Sequence, residues 1–166
     1  MPERRRSDAT GIGSTPLVIN PAELTVGAVV QRTAGDLVRG CVPNAAEAAR
    51  EIVAALLDVG RHWTMLHATD HADVTLLERA DQAVRRLARG MPFEYAVDRA
   101  SFRRLTLAVD ERVLIPRPET ELLVEFVLTL MRDGCGGVAI DVGTGSGAIA
   151  LALAQEGTFD RVIGTD

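Results

Sequence analysis

The stretch that most constrains this chain is Val138–Gly147, VAIDVGTGSG, with the apolar run Ala148–Ala154 directly behind it. Its apolar opening predicts a buried strand with Asp141 near the end. Gly143, Gly145 and Gly147 then alternate through a tight turn, and Ala148–Ala154 continues as a helix. A strand, a glycine turn and a helix start bring backbone N–H groups and a positive dipole end to the carboxyl edge of a sheet. Glycine suits the turn because a Cβ would oppose both its dihedrals and the close approach of a ligand. A second short strand, Arg161–Thr165, leads to Asp166, whose carboxylate suits the two hydroxyls of a ribose. Together these residues make a nucleoside-cofactor half-site.

Composition narrows the alternatives. A length of 166 residues allows one ordinary domain or two small ones, and 47% hydrophobic content suffices for a core. With aromatic residues at 4%, that core is mostly aliphatic. A net charge of −5 argues against a protein built mainly to neutralise a nucleic-acid backbone. All 18 cationic residues are arginine, which reads first as a genomic bias. Cys41 and Cys135 lie far apart without C-x-x-C or Cys/His spacing, so two reduced thiols and a cytoplasmic location are expected. His62, His67 and His71 fall close together, and their spacing lets His67 and His71 share a helical face. No acid or cysteine completes a ligand set, so surface histidines are expected rather than a metal site.

Arg4, Arg5 and Arg6 open the chain, but Pro16, Asn20, Pro21 and Glu23 interrupt any apolar core, which excludes a secretory signal or a membrane span. Residues 1–22 are expected to be a flexible tail. Over 23–97 the pattern is helical. Val26, Val30, Ala34, Leu37 and Val38 form a first stripe, ended by Gly40 and Pro43. Asn44 is placed to cap a second helix with Ala49, Ile52, Val53, Leu56 and Leu57 inward, stopped by Gly60. A short turn spans His62–Ala68. Asp73 then caps a longer helix with Leu77, Ala80, Val84, Leu87 and Ala88 inward. The bundle shows no catalytic group, so it reads as a structural cap or a platform for a partner.

After Met91 the character changes. Ser101–Val109 and Arg112–Ile115 predict a β-hairpin around Asp110–Glu111. Pro116 and Pro118 then force extended geometry before a helix, since proline at a first helical position loses no hydrogen bond. Glu119 and Glu121 suit the positive end of that helix, whose expected buried stripe is Leu122, Leu123, Phe126, Val127 and Leu130. Gly134, Gly136 and Gly137 end it and lead into the glycine-turn strand. Nine arginines against five acids between Arg79 and Arg117 read as a solvated face in preference to a surface for an acidic partner.

Gly143, Gly145 and Ala148 also satisfy the loose dinucleotide pattern G-x-G-x-x-G/A, so the glycines leave NAD open. Two features favour S-adenosyl-L-methionine. Asp141 stands two residues before the first glycine, where a carboxylate can receive the ligand's ammonium or a turn N–H. Gly147 adds a third alternate glycine, giving D-x-G-x-G-x-G.

The block Val113–Glu121, VLIPRPETE, followed some twenty residues later by DVGTGSG, resembles the release-factor glutamine methyltransferases of the HemK/PrmC type. The likeness runs from about residue 23 onward, and GMPFEYAV is similar to that family's G-x-P-x-x-Y linker at Gly90, Pro92 and Tyr95. It implies an α/β fold: an N-terminal helical bundle, a hairpin, and the start of a Rossmann-like methyltransferase sheet. It further implies methylation of the glutamine side-chain amide in the Gly-Gly-Gln loop of a peptide chain release factor. The bundle (23–97) would dock that partner, with neither nucleic acid nor membrane contacted directly, and 98–166 would bind S-adenosylmethionine. By resemblance the cofactor-binding residues are Asp141, Gly143, Thr144, Gly145, Ser146, Gly147 and Asp166, with Thr144 and Ser146 read as turn residues offering hydrogen bonds. No catalytic residue is assigned.

This chain departs from the family at Asp98, where a glycine is usual, and at Phe102–Leu107, FRRLTL, where F-Y-G-L-P-F is usual. Both bear on hairpin packing and substrate fit. The family's N-P-P-Y motif, whose asparagine and carbonyl would grip the amide, does not occur in these residues. Of a sheet of about seven strands only the first two are present, and at roughly thirty residues per βαβ unit about a hundred residues are missing. The expectation is an incomplete, inactive portion whose two strands keep uncovered apolar faces and an open edge. Other readings are a methyltransferase with another substrate, a nicotinamide enzyme, or a non-catalytic partner-binding fragment.

Overall fold

The computed structural model describes residues 24–131 and 136–166. The tail expected over 1–22, together with Gly134 and Cys135, lies outside them. Five helices come first: α1 (Val26–Arg39), α2 (Ala45–Leu57), α3 (Trp63–Leu66), α4 (Val74–Leu87) and α5 (Phe93–Ala96). A hairpin of β1 (Arg99–Phe102) and β2 (Leu105–Ala108) follows, then α6 (Pro118–Leu130), β3 (Val138–Val142), α7 (Ala148–Glu156) and β4 (Arg161–Thr165). The fold is α/β, with a helical bundle ahead of an antiparallel hairpin and the opening parallel pair of a Rossmann-like sheet.

The bundle closes around Val29, Leu37, Ile52, Val53, Ala80 and Ala83, none of them accessible to solvent. On α1 the buried stripe is Val26, Val29, Thr33 and Leu37; Val30 and Ala34 pack at its margin and Val38 is exposed. The stripe is therefore rotated from the expected one. The cause is Gly27, whose N–H donates to the Ala68 carbonyl at 2.9 Å. A Cβ there would lie 2.8 Å from that oxygen, so only glycine lets the α3 turn press so closely on α1. α4 turns similarly: Leu76, Ala80, Ala83 and Val84 are buried, Leu77 and Leu87 are marginal, and Ala88 is exposed. Asp73 caps α4 as expected, its carboxylate accepting from Thr75 N at 2.9 Å.

Asn44 precedes α2 in the left-handed region (φ 53°, ψ 38°), and its side chain makes no capping bond. Side-chain capping needs an extended residue at that position, so the Asn44 carbonyl accepts from Glu47 and Ala48 instead. The histidines also part company. α3 ends at Leu66, and His71 sits in an extended bridge to Thr25, so His67 and His71 share no helical face. His67 stacks on Trp63 with centroids 4.0 Å apart and its Nδ1 meets the Asp70 carboxylate at 2.7 Å.

The hairpin is shifted from its expected place. It turns at Arg103–Arg104, pairing Phe102 with Leu105 and Arg99 with Ala108, and residues 112–115 form no strand. Asp110–Glu111 is a turn, with Asp110 Oδ1 accepting from Arg112 N at 3.0 Å, but it leads into the extended proline segment before α6. The Tyr95 hydroxyl donates to the Val113 carbonyl at 2.6 Å and so ties the linker to that segment.

Pro118 opens α6 at its first turn, as its missing N–H allows. The stripe expected on this helix is not buried: Leu122 (72% accessible), Leu123, Phe126 and Leu130 are exposed, Val127 is marginal, and Val124 alone is enclosed. The reason lies in the sheet. β3 and β4 pair in parallel from Val138↔Arg161 to Val142↔Thr165, and α7 covers one face through Ala148, Ala152 and Leu153. Val138, Ile140 and Val142 point to the other face and remain exposed, Val142 at 81%. β3 is thus half-covered rather than buried, and the uncovered apolar face expected of two lone strands is present.

Candidate functional site

Parallel pairing places the ends of β3 and β4 side by side at one sheet edge. There the chain leaves β3 and reverses. Gly143 N and Thr144 N both donate to the Thr165 carbonyl, at 2.8 and 2.9 Å, and Gly147 N closes a turn onto Thr144 O at 2.8 Å. Gly143, Gly145 and Gly147 all have positive φ (75°, 52° and 78°), a region that side-chain-bearing residues avoid.

Gly147 is the N-cap of α7 and has no side chain to bond the helix's first N–H groups. Asp141 supplies one from a distance. Its Oδ2 accepts from Ala150 N at 3.2 Å and from the Thr144 hydroxyl at 2.8 Å. Of the two roles left open for Asp141, this geometry uses the one toward the backbone. The Thr144 hydroxyl is directed at Asp141, and Ser146 sits half-buried in the turn just before α7. Asp166 directly follows Thr165, whose carbonyl holds the glycine turn, so the ribose candidate stands at the same edge.

A Cβ built on Gly143 or Gly145 meets no protein atom within 4 Å. The turn therefore faces open space on the side where a ligand would lie, and the backbone N–H groups of Gly145 and Ser146 have no backbone acceptor among the described residues. This is a cradle in which glycine is required by backbone angle and not by crowding within the chain.

Gly164 escaped notice in the sequence. A Cβ there would lie 2.9 Å from Thr144 Oγ1, so glycine on β4 is what lets the Thr144–Asp141 bond form beside it. A lone glycine in a short strand is the available signal for such a close approach.

Grooves of about 450 Å³ lie elsewhere, one between α2, α5, the hairpin and Pro116–Pro118. Of its titratable lining residues Asp58, Glu94 and Arg99, two are already paired, Arg99 Nη1 with Asp58 Oδ1 at 3.0 Å, so the backbone cradle is the better candidate site. Among the described residues no group of three or more His, Cys, Asp or Glu is placed to hold a metal ion. None of their helices is long and apolar enough to cross a membrane.

A helical bundle joined to the first strand–turn–helix–strand unit of a Rossmann-like sheet, with a glycine cradle at its carboxyl edge, defines the class. Residues 28–97 match the family model of the PrmC N-terminal domain. The chain is 39% identical over 110 residues to the release factor glutamine methyltransferase of Xylella fastidiosa (strain Temecula1), covering 66% of this chain and 40% of that protein. It is 51% identical over 79 residues to the one from Lactococcus lactis (strain IL1403), covering 48% and 29%. It is 56% identical over 69 residues to the one from Streptococcus pneumoniae (strain R6), covering 42% and 24%. The chain is thus similar to release factor glutamine methyltransferases, and it spans about two fifths or less of the length of these relatives.

Proposed function

We propose that this chain carries the partner-docking and cofactor-side parts of an S-adenosylmethionine-dependent, cytoplasmic protein methyltransferase. Its substrate would be the glutamine side-chain amide in the Gly-Gly-Gln loop of a peptide chain release factor. The observation that carries the reading is the open cradle of three positive-φ glycines at the carboxyl edge of a parallel strand pair. The relatives' names supply the methyl transfer and the acceptor.

In this reading the bundle (23–97) docks the release factor and 98–166 hold the cofactor. Gly143, Gly145 and Gly147 allow backbone approach to its methionine part, while Ser146 and the free turn N–H groups offer hydrogen bonds. Asp141 and Thr144 hold the turn rigid. Asp166 accepts from the ribose hydroxyls. When bound, S-adenosylmethionine supplies a sulfonium methyl open to displacement by the amide nitrogen. That nitrogen is a poor nucleophile because its lone pair is delocalised, so catalysis rests on positioning and fixed dipoles. No residue described here is assigned to grip the amide.

Calorimetric titration of the chain with S-adenosylmethionine and with NAD tests the cofactor. Binding of NAD alone overturns the assignment. Asp166→Ala should weaken S-adenosylmethionine binding by about 1.5–3 kcal/mol, the loss of a charge-assisted hydrogen bond, and unchanged affinity removes the ribose role. Incubated with labelled S-adenosylmethionine and a release factor, the 166-residue chain should transfer no label. Labelled glutamine would place the acceptor site within these residues.

A further inference from the structure

Arg103 occupies the hairpin turn in the left-handed region, φ 53°, where an arginine is unfavourable. Its side chain is only 15% accessible and reaches away from the hairpin. Nε and Nη2 meet the two carboxylate oxygens of Glu156 at 2.7 and 2.9 Å, a bidentate pair. Nη2 also meets Glu125 Oε2 at 2.8 Å, Nη1 donates to the Glu121 carbonyl at 3.2 Å, and the Arg103 N–H donates to Glu121 Oε1 at 2.9 Å. One residue thereby joins the hairpin, α6 and the last residue of α7. Glu156 is 8% accessible, and its other cation, Arg104, stands 3.9 Å away and is itself exposed.

α7 is nine residues long and begins at the glycine cradle. Asp141 anchors its first turn and Glu156 its last, while only Ala148, Ala152 and Leu153 are buried along it. The charge pair is thus a polar tie at the far end of a short helix whose near end carries the cradle. We propose that Arg103 is a positioning residue for the cofactor cradle, acting through Glu156 and the length of α7 to hold the Asp141–Thr144–Ala150 contacts in register. Its importance for binding rests on the function proposed above; its action on the cradle does not.

Hydrogen exchange on the intact 166-residue chain separates the two. In Arg103→Met, which keeps the stem but removes the charge, exchange at Ala150, Leu151 and the glycine turn should quicken about ten- to hundredfold. Bundle amides such as Val53 should be unchanged. Arg103→Lys should fall between, because an ammonium cannot make the bidentate pair. S-adenosylmethionine affinity should fall in the same order. Faster exchange confined to 99–108, with α7 unchanged, overturns the proposal and leaves Arg103 a hairpin anchor. If the exchange pattern holds while the unaltered chain binds no S-adenosylmethionine, the proposed function fails and the positioning role stands. Should Arg103→Met not fold, Glu156→Gln serves instead, and unchanged exchange along α7 in that variant overturns the proposal.

Discussion

Between Leu24 and Val97 the chain sets α1 and α4, of 14 residues each, and α2, of 13, against one another and buries their shared stripe. Between Arg99 and Thr165 it makes a hairpin, two helices and two parallel strands, yet Leu122, Phe126, Ile140 and Val142 face solvent. The difference is one of architecture. A helix satisfies its own backbone and needs only a neighbour for one stripe, which short loops deliver. A parallel strand has two faces and two edges to cover, and every cover comes from elsewhere in the chain. The bundle is held by burial; the sheet half leans on specific polar ties such as Arg103–Glu156 and Asp141–Thr144.

The sharpest way to break this contrast is a matched pair of truncations. Ile52→Ala, in the inaccessible bundle core, should cost about 2–5 kcal/mol in urea unfolding. Leu122→Ala on exposed α6 should change stability by less than about 0.5 kcal/mol. Equal effects would show that α6 is packed in solution.

Gly145→Val comes next. With φ at 52° and open space around the Cβ, the cost is backbone strain alone, about 1–2 kcal/mol by thermal unfolding. A much larger loss would mean the turn is crowded. Within the bundle, the Thr33 hydroxyl is fully buried without a hydrogen-bond partner among the described residues. Thr33→Val should therefore stabilise the chain by about 1 kcal/mol, and a destabilisation would reveal an acceptor for that hydroxyl.

Acid should act on the sheet half first. The hydrogen bond from Arg103 holds the Glu156 carboxyl below its ordinary value of 4.5, against the opposing effect of burial. A carboxylate lowered in the folded state adds stability above its unfolded value and loses it as pH falls through the folded one. Amides of α7 should thus lose exchange protection as pH drops below about 4.5, while Val53 keeps its own. The smallest effect belongs to Asp110, lowered to about 2 chiefly by its side-chain hydrogen bond from Arg112. Both side chains are well exposed, so Arg112→Ala should leave the unfolding midpoint unmoved. Carboxyl titration by NMR should show Asp110 returning toward 3.8.

Sequence pattern located most of these elements but not always their rotation. Helical spacing found α1, α2 and α4, yet two stripes offset by one residue look alike on paper, and Gly27 against Ala68 chose between them. Alternation suggested a hairpin at Asp110–Glu111, between the runs Ser101–Val109 and Arg112–Ile115. Arg103, a poor turn former, took the turn because Glu121, Glu125 and Glu156, distant in sequence, surround it. Asp141 was visible as a candidate, but its partner at Ala150 N emerged only once α7 had folded back over β3.

What the sequence determined by itself is what local chemistry enforces. Glycine spacing dictated the turn after β3, Pro118 the start of α6 and Asp73 the start of α4, since each acts through its own dihedrals or its neighbours' N–H groups. Tertiary structure decided which apolar stripes found cover, how Gly164 made room for Thr144, and that one arginine would bind three segments together. Those outcomes depend on surfaces far apart in the chain meeting at a fixed distance and angle, which no local pattern encodes.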